Sequence, residues 1–281
     1  MKGHTLLKDF FRRFCRNKMA MTGLLILILM ITCAIFADTI APYGYNDQNP
    51  QAANQFPSAA HWLGTDDFGR DILSRIIFGA RISLKVAFVA VSMAVILGGT
   101  IGATAAYYSR IDNVVMRIVD LFMAIPNVLL AIAIATALGS GERNLMIAVG
   151  ISSVPMYARI VRAAVLSVKE QEYIEAATSI GASDLRIILG HIIPNALSPV
   201  IVQATLSVAT AIILASSLSY LGFGVQAPLP EWGAMLSSGR QYIRTYWHMT
   251  VFPGLAIMLA VYALNVVGDG LRDALDPKMK R

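Results

Sequence analysis

No Gly-x-x-x-x-Gly-Lys-[Ser/Thr] string occurs anywhere in the 281 residues, so the usual P-loop cradle for ATP phosphates is excluded. His-Glu-x-x-His and Cys-x-x-Cys are also missing, and the four histidines (His4, His61, His191, His248) are scattered between tail, loops and span ends. The chain is therefore expected to build no metal site and to bind no cofactor of its own. The thirteen methionines have no Cys or His beside them at ligand spacing and read as packing residues. Cys15 and Cys33 are the only cysteines, one in a tail and one within an apolar run, which rules against an internal disulfide. No paired nucleophile and base for hydrolysis can be assembled from the Ser and His positions. Charge is scarce too: 14% of residues are charged, against about a quarter in soluble domains.

What replaces charge is apolar length. With 56% apolar residues and a mean hydropathy of +0.62, the chain reads as an all-α membrane protein, because backbone polar groups in lipid must be satisfied within the segment. Six runs long enough for a hydrocarbon core of about 30 Å are expected to span: Met19–Ala37, Ile82–Tyr107, Ile118–Leu138, Leu145–Leu166, Ala196–Leu221 and Met249–Gly268. The ionisable residues Lys85, Arg159, Arg162 and Asp269 are placed near span ends, and no carboxylate is assigned to a span interior. That weakens the alternative of an ion-coupled carrier.

Basic residues orient the spans and do not mark a nucleic-acid surface. With the first tail inside, the inner side holds Lys2, Lys8, Arg12, Arg13, Arg16 and Lys18, then Arg110, Arg117, Arg159, Arg162, Lys169 and Arg186, and finally Arg272, Lys278, Lys280 and Arg281. The outer side holds only Arg70, Arg75, Arg81, Lys85, Arg143, Arg240 and Arg244. Both termini are expected inside. The first run lacks a clear small-residue cleavage site and is taken as a retained anchor.

The expected organisation is a cytoplasmic tail with an interfacial helix (1–18), a first span (19–37), an outer loop ending in an amphipathic helix (38–81), a membrane core (82–268) and a cytoplasmic tail (269–281). Within the core lie a polar insert (169–194) and an outer loop (222–248). Thr65 or Asp66 is the expected N-cap of the outer amphipathic helix. Gly98, Gly99 and Gly102, with Ala103, Ala105 and Ala106, mark the second span as a close-packed core helix. Pro126 and Pro155 are expected to kink the third and fourth spans. Pro230 and Glu231 fit the first turn of a short outer helix.

The polar insert is the most informative segment. Lys169 to Ile180 is expected to be helical, with Tyr173, Ala176, Ala177 and Ile180 forming an apolar or small face. Gly181 suits a left-handed helix terminus, and Ser183 can cap a second helix through Asp184. An ordinary polar hairpin and a docking knob for a soluble partner both fit that pattern.

Glu175-Ala176-Ala177, Gly181 and His191-Ile192-Ile193-Pro194 resemble the EAA loop of binding-protein-dependent ABC importer permeases, with His191 and Ile193 as mild departures. Trp62 to Arg75, Pro230 to Leu236 and Gly268 to Pro277 resemble the C-type permease of dipeptide, oligopeptide and nickel importers. The resemblance implies a type I importer permease fold and a bacterial or archaeal cytoplasmic membrane. It implies pairing with a B-type permease, two ATP-binding subunits carrying ATP and Mg, and a periplasmic or lipid-anchored substrate-binding protein, with peptides or a nickel or other metal chelate as cargo. On that resemblance Glu175, Ala176, Ala177, Gly181 and Asp184 couple to the ATPase, whose closure rocks the spans between inward-open and outward-open states. The chain itself would be no enzyme. The competing readings are a stand-alone channel or carrier and a membrane scaffold.

Overall fold

The computed structural model describes residues 11–275. Helices carry nearly all of the architecture. Residues 11–16 are helical, followed by α1 (Lys18–Ile35), whose cap is Asn17: its side chain accepts the Ala20 N–H. Then come α2 (Ile72–Tyr107), α3 (Ser109–Met123), α4 (Asn127–Leu138), α5 (Glu142–Lys169), α6 (Glu172–Ser179), α7 (Asp184–Tyr220), α8 (Trp232–Gly239) and α9 (His248–Leu275). Within α7, residues Ile188–Ile192 form a π-helical turn between Asp184–Ile187 and Ile193–Tyr220. The tail residues Lys2, Lys8, Lys278, Lys280 and Arg281, and the start of the expected interfacial helix, lie outside the described residues.

Among the described residues five helices (α1, α2, α5, α7 and α9) are long and apolar enough to cross a membrane, or six spans if α3 and α4 together form one. The bundle has two ends. One carries the 41–71 and 221–247 connections; the other carries the 170–183 hairpin, and the spans alternate between them.

Three expectations change. The expected kink of the third span at Pro126 is a full break: α3 and α4 are separate helices that meet at an angle of 87° across residues 124–126. Proline at 126 cannot donate to Phe122 and disfavours helical geometry at Ile125, so the chain turns sharply there. Pro155, by contrast, stays within continuous α5. Second, the outer amphipathic segment is not a separate interfacial helix capped by Thr65 or Asp66. Residues 61–71 are non-helical, and 72–81 are the start of the 36-residue α2, capped by Asp71, whose carboxylate accepts the Ser74 N–H. Third, Arg159 and Arg162, expected near the inner end of the fourth span, lie about two to three turns inside α5, which runs on to Lys169, and face Asp120 and Asp112 of α3.

The main core joins α2, α4, α5, α7 and α9, with α1 along one side. Its tightest seam is α2 on α5. A β-carbon on Gly98 would lie 2.5 Å from the Val154 carbonyl oxygen, and one on Gly102 would overlap the Ala158 carbonyl. These two glycines set the helix separation; Gly99 meets only the tip of Val161 and plays no part in it. A second apolar cluster is built from Val161, Val165, Ile174, Ala177, Ile187 and Ile192 with their neighbours, and sits under the hairpin.

Candidate coupling site and outer cap

The hairpin begins where α5 ends. Glu172 and Glu175 occupy the first turn of α6, where acids complement the helix dipole. Only Ile174 and Ala177 of α6 are buried, packed into the second cluster. The expected apolar face is corrected accordingly: Ala177 does face inward, but its inward companion is Ile174. Tyr173 and Ala176 are exposed, and Ile180 is 85% exposed. A helix rotated in this way turns apolar side chains outward, and Leu185 just beyond the turn is also well exposed.

The turn itself is a Schellman closure. Gly181 has φ +79°, its N–H donates to the Thr178 carbonyl (3.0 Å), and the Ala182 N–H donates to the Ala177 carbonyl (3.1 Å). Both hydrogen bonds satisfy end-of-helix carbonyls. A β-carbon on Gly181 would meet nothing within 4 Å, so glycine is needed here for its backbone angle, not for space. Ser183 has the extended backbone of an N-cap but makes no side-chain capping bond.

Two residues not singled out from the sequence moor the hairpin to the bundle. The Tyr107 hydroxyl donates to Asp184 Oδ1 at 2.7 Å. Lys169 Nζ donates to the carbonyls of Tyr107 (2.8 Å) and Ala106 (3.2 Å) and lies 5.4 Å from the Tyr107 ring centroid. The ammonium thus caps the C-terminus of α2, where carbonyls lack helical partners. Of the five expected coupling residues, Glu175, Ala176 and Gly181 are exposed; Ala177 is buried beneath them, and Asp184 is engaged by Tyr107.

At the opposite end two separated strings fold into one cap. Asp66 accepts the backbone N–H groups of Phe68 and Arg70 and the Arg70 Nε at 2.7 Å. Asp71 holds Ser74 and lies 2.9 Å from His61 Nδ1. Arg75 Nη1 reaches across to the Tyr45 carbonyl (2.8 Å) and the Pro228 carbonyl (3.3 Å). Fully buried Trp232 donates from Nε1 to the Ile76 carbonyl, and it fits because residue 79 is glycine. Glu231 is the N-cap of α8, not part of its first turn: its carboxylate accepts the Gly233 and Ala234 N–H groups (3.0 and 2.9 Å), and Ser83 donates to it at 3.3 Å. Burial pushes the Glu231 carboxyl above its ordinary value of 4.5, outweighing these hydrogen bonds. Asp67 is raised likewise, by burial and the neighbouring Asp66.

Taken together, these features define a multi-span membrane protein with a moored helical hairpin at one end and a rigid cap at the other. Residues 94–281 match the family model described as binding-protein-dependent transport system inner membrane component, and residues 5–57 match the N-terminal TM domain of oligopeptide transport permease C. The chain belongs to this family of ABC importer permeases, in its C-type dipeptide and oligopeptide branch. It is 51% identical over 274 residues to the dipeptide transport system permease protein DppC of Alkalihalophilus pseudofirmus, covering 97% of this chain and 90% of that protein. It is 50% identical over 274 residues, with the same coverage, to the glutathione transport system permease protein GsiD of Escherichia coli O6:K15:H31. The fold is shared with the inward-facing methionine ABC transporter MetNI (TM-score 0.59, 19% identity, 72% of this chain and 97% of that one). It is shared also with an amino acid ABC transporter solved with histidines (TM-score 0.57, 18% identity, 70% and 92%).

Proposed function

We propose that this chain is one of two permease halves of an ATP-driven peptide importer in a bacterial or archaeal cytoplasmic membrane. The observation that carries the coupling role is the hairpin: a rigid, moored turn that presents Tyr173, Ala176, Ile180 and Leu185 to solvent beside Glu172 and Glu175. An exposed apolar patch rimmed by charge fits a cleft on a soluble subunit. ATP and Mg belong to a pair of such subunits, since this chain has no P-loop to hold nucleotide. Glu175, Ala176 and Gly181 form the contact itself; Ala177 and Asp184 hold it in place. A B-type permease supplies the other half of the pathway, and a binding protein delivers cargo to the cap end. Peptides are favoured over nickel or another metal chelate because the similar permeases carry dipeptide and glutathione names.

The test is reconstitution. The complete complex in proteoliposomes should take up a dipeptide only with ATP and the binding protein; flux through this chain alone would establish a self-sufficient carrier instead. Replacing Ile180 with Ser should leave thermal stability unchanged and weaken co-purification of the ATPase pair. A cysteine at Asn46 should label from outside, and one at Asp184 only when the inner face is opened.

A further inference from the structure

Two ion pairs join α3 to α5, and they differ in exposure. Arg162 holds Asp112 in a bidentate pair (Nε to Oδ1 2.6 Å, Nη2 to Oδ2 2.5 Å), with side chains 30% and 17% exposed. Arg159 pairs with Asp120 through one nitrogen, and those side chains are 52% and 55% exposed. Counting along α5, Arg159 stands about 25 Å from Glu142 and about 15 Å from Lys169 at the rise of an α-helix. That places the pair within the crossing, toward its inner end, for a hydrocarbon core of about 30 Å. Charges this exposed within a spanning helix do not face acyl chains; they face water or another polar wall. Beyond the α3–α4 break, and about 9 Å along α5 from Arg159, lies a cleft of about 240 Å³ between α4, α5 and α7, whose polar lining is Asn127, Ser153, Thr210 and Ser217.

From this juxtaposition we propose that Asp120 and Arg159 form a subsite of the translocation pathway for zwitterionic peptides. The inference rests on the peptide-import reading above. A short peptide with free termini carries one ammonium and one carboxylate. Asp120 takes the ammonium and Arg159 the carboxylate, each exchanging one charged partner for another, so no charge is left unpaired during passage. The single-contact, solvated Asp120–Arg159 pair opens readily. The bidentate, more enclosed Asp112–Arg162 pair stays closed and braces α3 against α5. The hydroxyls and amide of the adjacent cleft then offer peptide-bond partners without selecting a side chain.

The test uses the complete importer in nanodiscs without nucleotide, with Cys15 and Cys33 replaced by Ser. The probes are a charged methanethiosulfonate reagent, dialanine, and N-acetyl-dialanine amide as the capped control. Ser153→Cys should react about tenfold faster than Leu97→Cys, an exposed apolar position on α2 beside Gly98, which packs against Val154. Millimolar dialanine should slow the Ser153→Cys reaction about threefold, as partial occupancy of a weak site requires, and the capped peptide should not. Adding Arg159→Gln should abolish protection while labelling persists, and Arg159→Lys should restore it. A Ser153→Cys rate no faster than that of Leu97→Cys would show the face to be lipid or subunit contact and overturn the proposal. Equal protection by the capped peptide, or protection that survives Arg159→Gln, would overturn it as well. Uptake of dialanine with the binding protein is measured in parallel. Uptake without protection refutes the subsite alone, whereas absent uptake refutes the peptide reading and the subsite with it.

Discussion

Gly181 offers a clean perturbation because its requirement is one of backbone angle alone. At φ +79° with nothing within 4 Å of a β-carbon, substitution adds no clash. Its cost is the left-handed conformation, about 1–2 kcal/mol for an ordinary L-residue and higher for a β-branched one. Asn tolerates that region better. A loss of about 1–2 kcal/mol lowers the population of the closed turn about five- to thirtyfold relative to competing conformations, and with it go the two Schellman hydrogen bonds. Transport and binding-protein-stimulated ATP hydrolysis in proteoliposomes should therefore fall in the order Gly, Asn, Ala, Val, with Gly181→Val inactive. The turn lies outside the main core, so the melting temperature of the purified complex should move little. If Gly181→Asn is worse than Gly181→Ala, side-chain size at the partner contact is what matters, and the backbone argument fails. Full uptake by Gly181→Val would refute the coupling role altogether.

Other outcomes follow from the packing. Tyr107→Phe removes the hydroxyl that holds Asp184; a double-mutant cycle with Asp184→Asn, read as ATPase coupling, should give an interaction of about 1 kcal/mol. Gly79→Ala would set a β-carbon 2.6 Å from the Pro230 carbonyl and 2.9 Å from Trp232, and should lower stability by about 1–3 kcal/mol in a thermal melt. Glu231 is raised in the folded state, so it binds its proton more tightly folded than unfolded. Its contribution to stability is full below the ordinary carboxyl value of 4.5 and is lost as pH rises through the folded value. Melting curves from pH 4 to 8, about the range over which a raised carboxyl titrates, should show this decline in the wild type, and Glu231→Gln should flatten it.

Hydrophobic length made the spans visible because each crossing must close its own backbone hydrogen bonds, and α1, α2, α5, α7 and α9 stand where the apolar runs indicate. The third crossing shows the limit of that signal. A hydropathy window sums over residues and has no direction; Pro126 announced a kink, but not that the kink would be an 87° turn between two helices. Hydropathy is equally silent about what Arg159 and Arg162 meet: their partners Asp120 and Asp112, some forty to fifty positions earlier on α3, make charges within a span tenable. In the hairpin the positive φ of Gly181 could be anticipated, since glycine at the end of a helical pattern has few other uses. The rotation of α6 could not, because periodicity defines a face without saying which neighbour it meets. Ile174 faces inward because the second cluster waits beneath it, and Ile180 is left outside.

The sequence by itself determined an all-helical membrane chain, the position of its polar hairpin, the lack of a P-loop string and the family to which its motifs belong. These are local properties, set by apolar length, turn residues and residue order. Tertiary structure alone decided that Asp71 rather than Thr65 or Asp66 starts α2, that Tyr107 and Lys169 moor the hairpin, that Glu231 and Trp232 lock the cap, and that two carboxylates of α3 meet two arginines of α5. The cap of Asp71 on Ser74 is local, but the choice among candidate caps and all the other contacts depend on residues distant in the chain, and their strength comes from burial and from partners that only folding brings within reach.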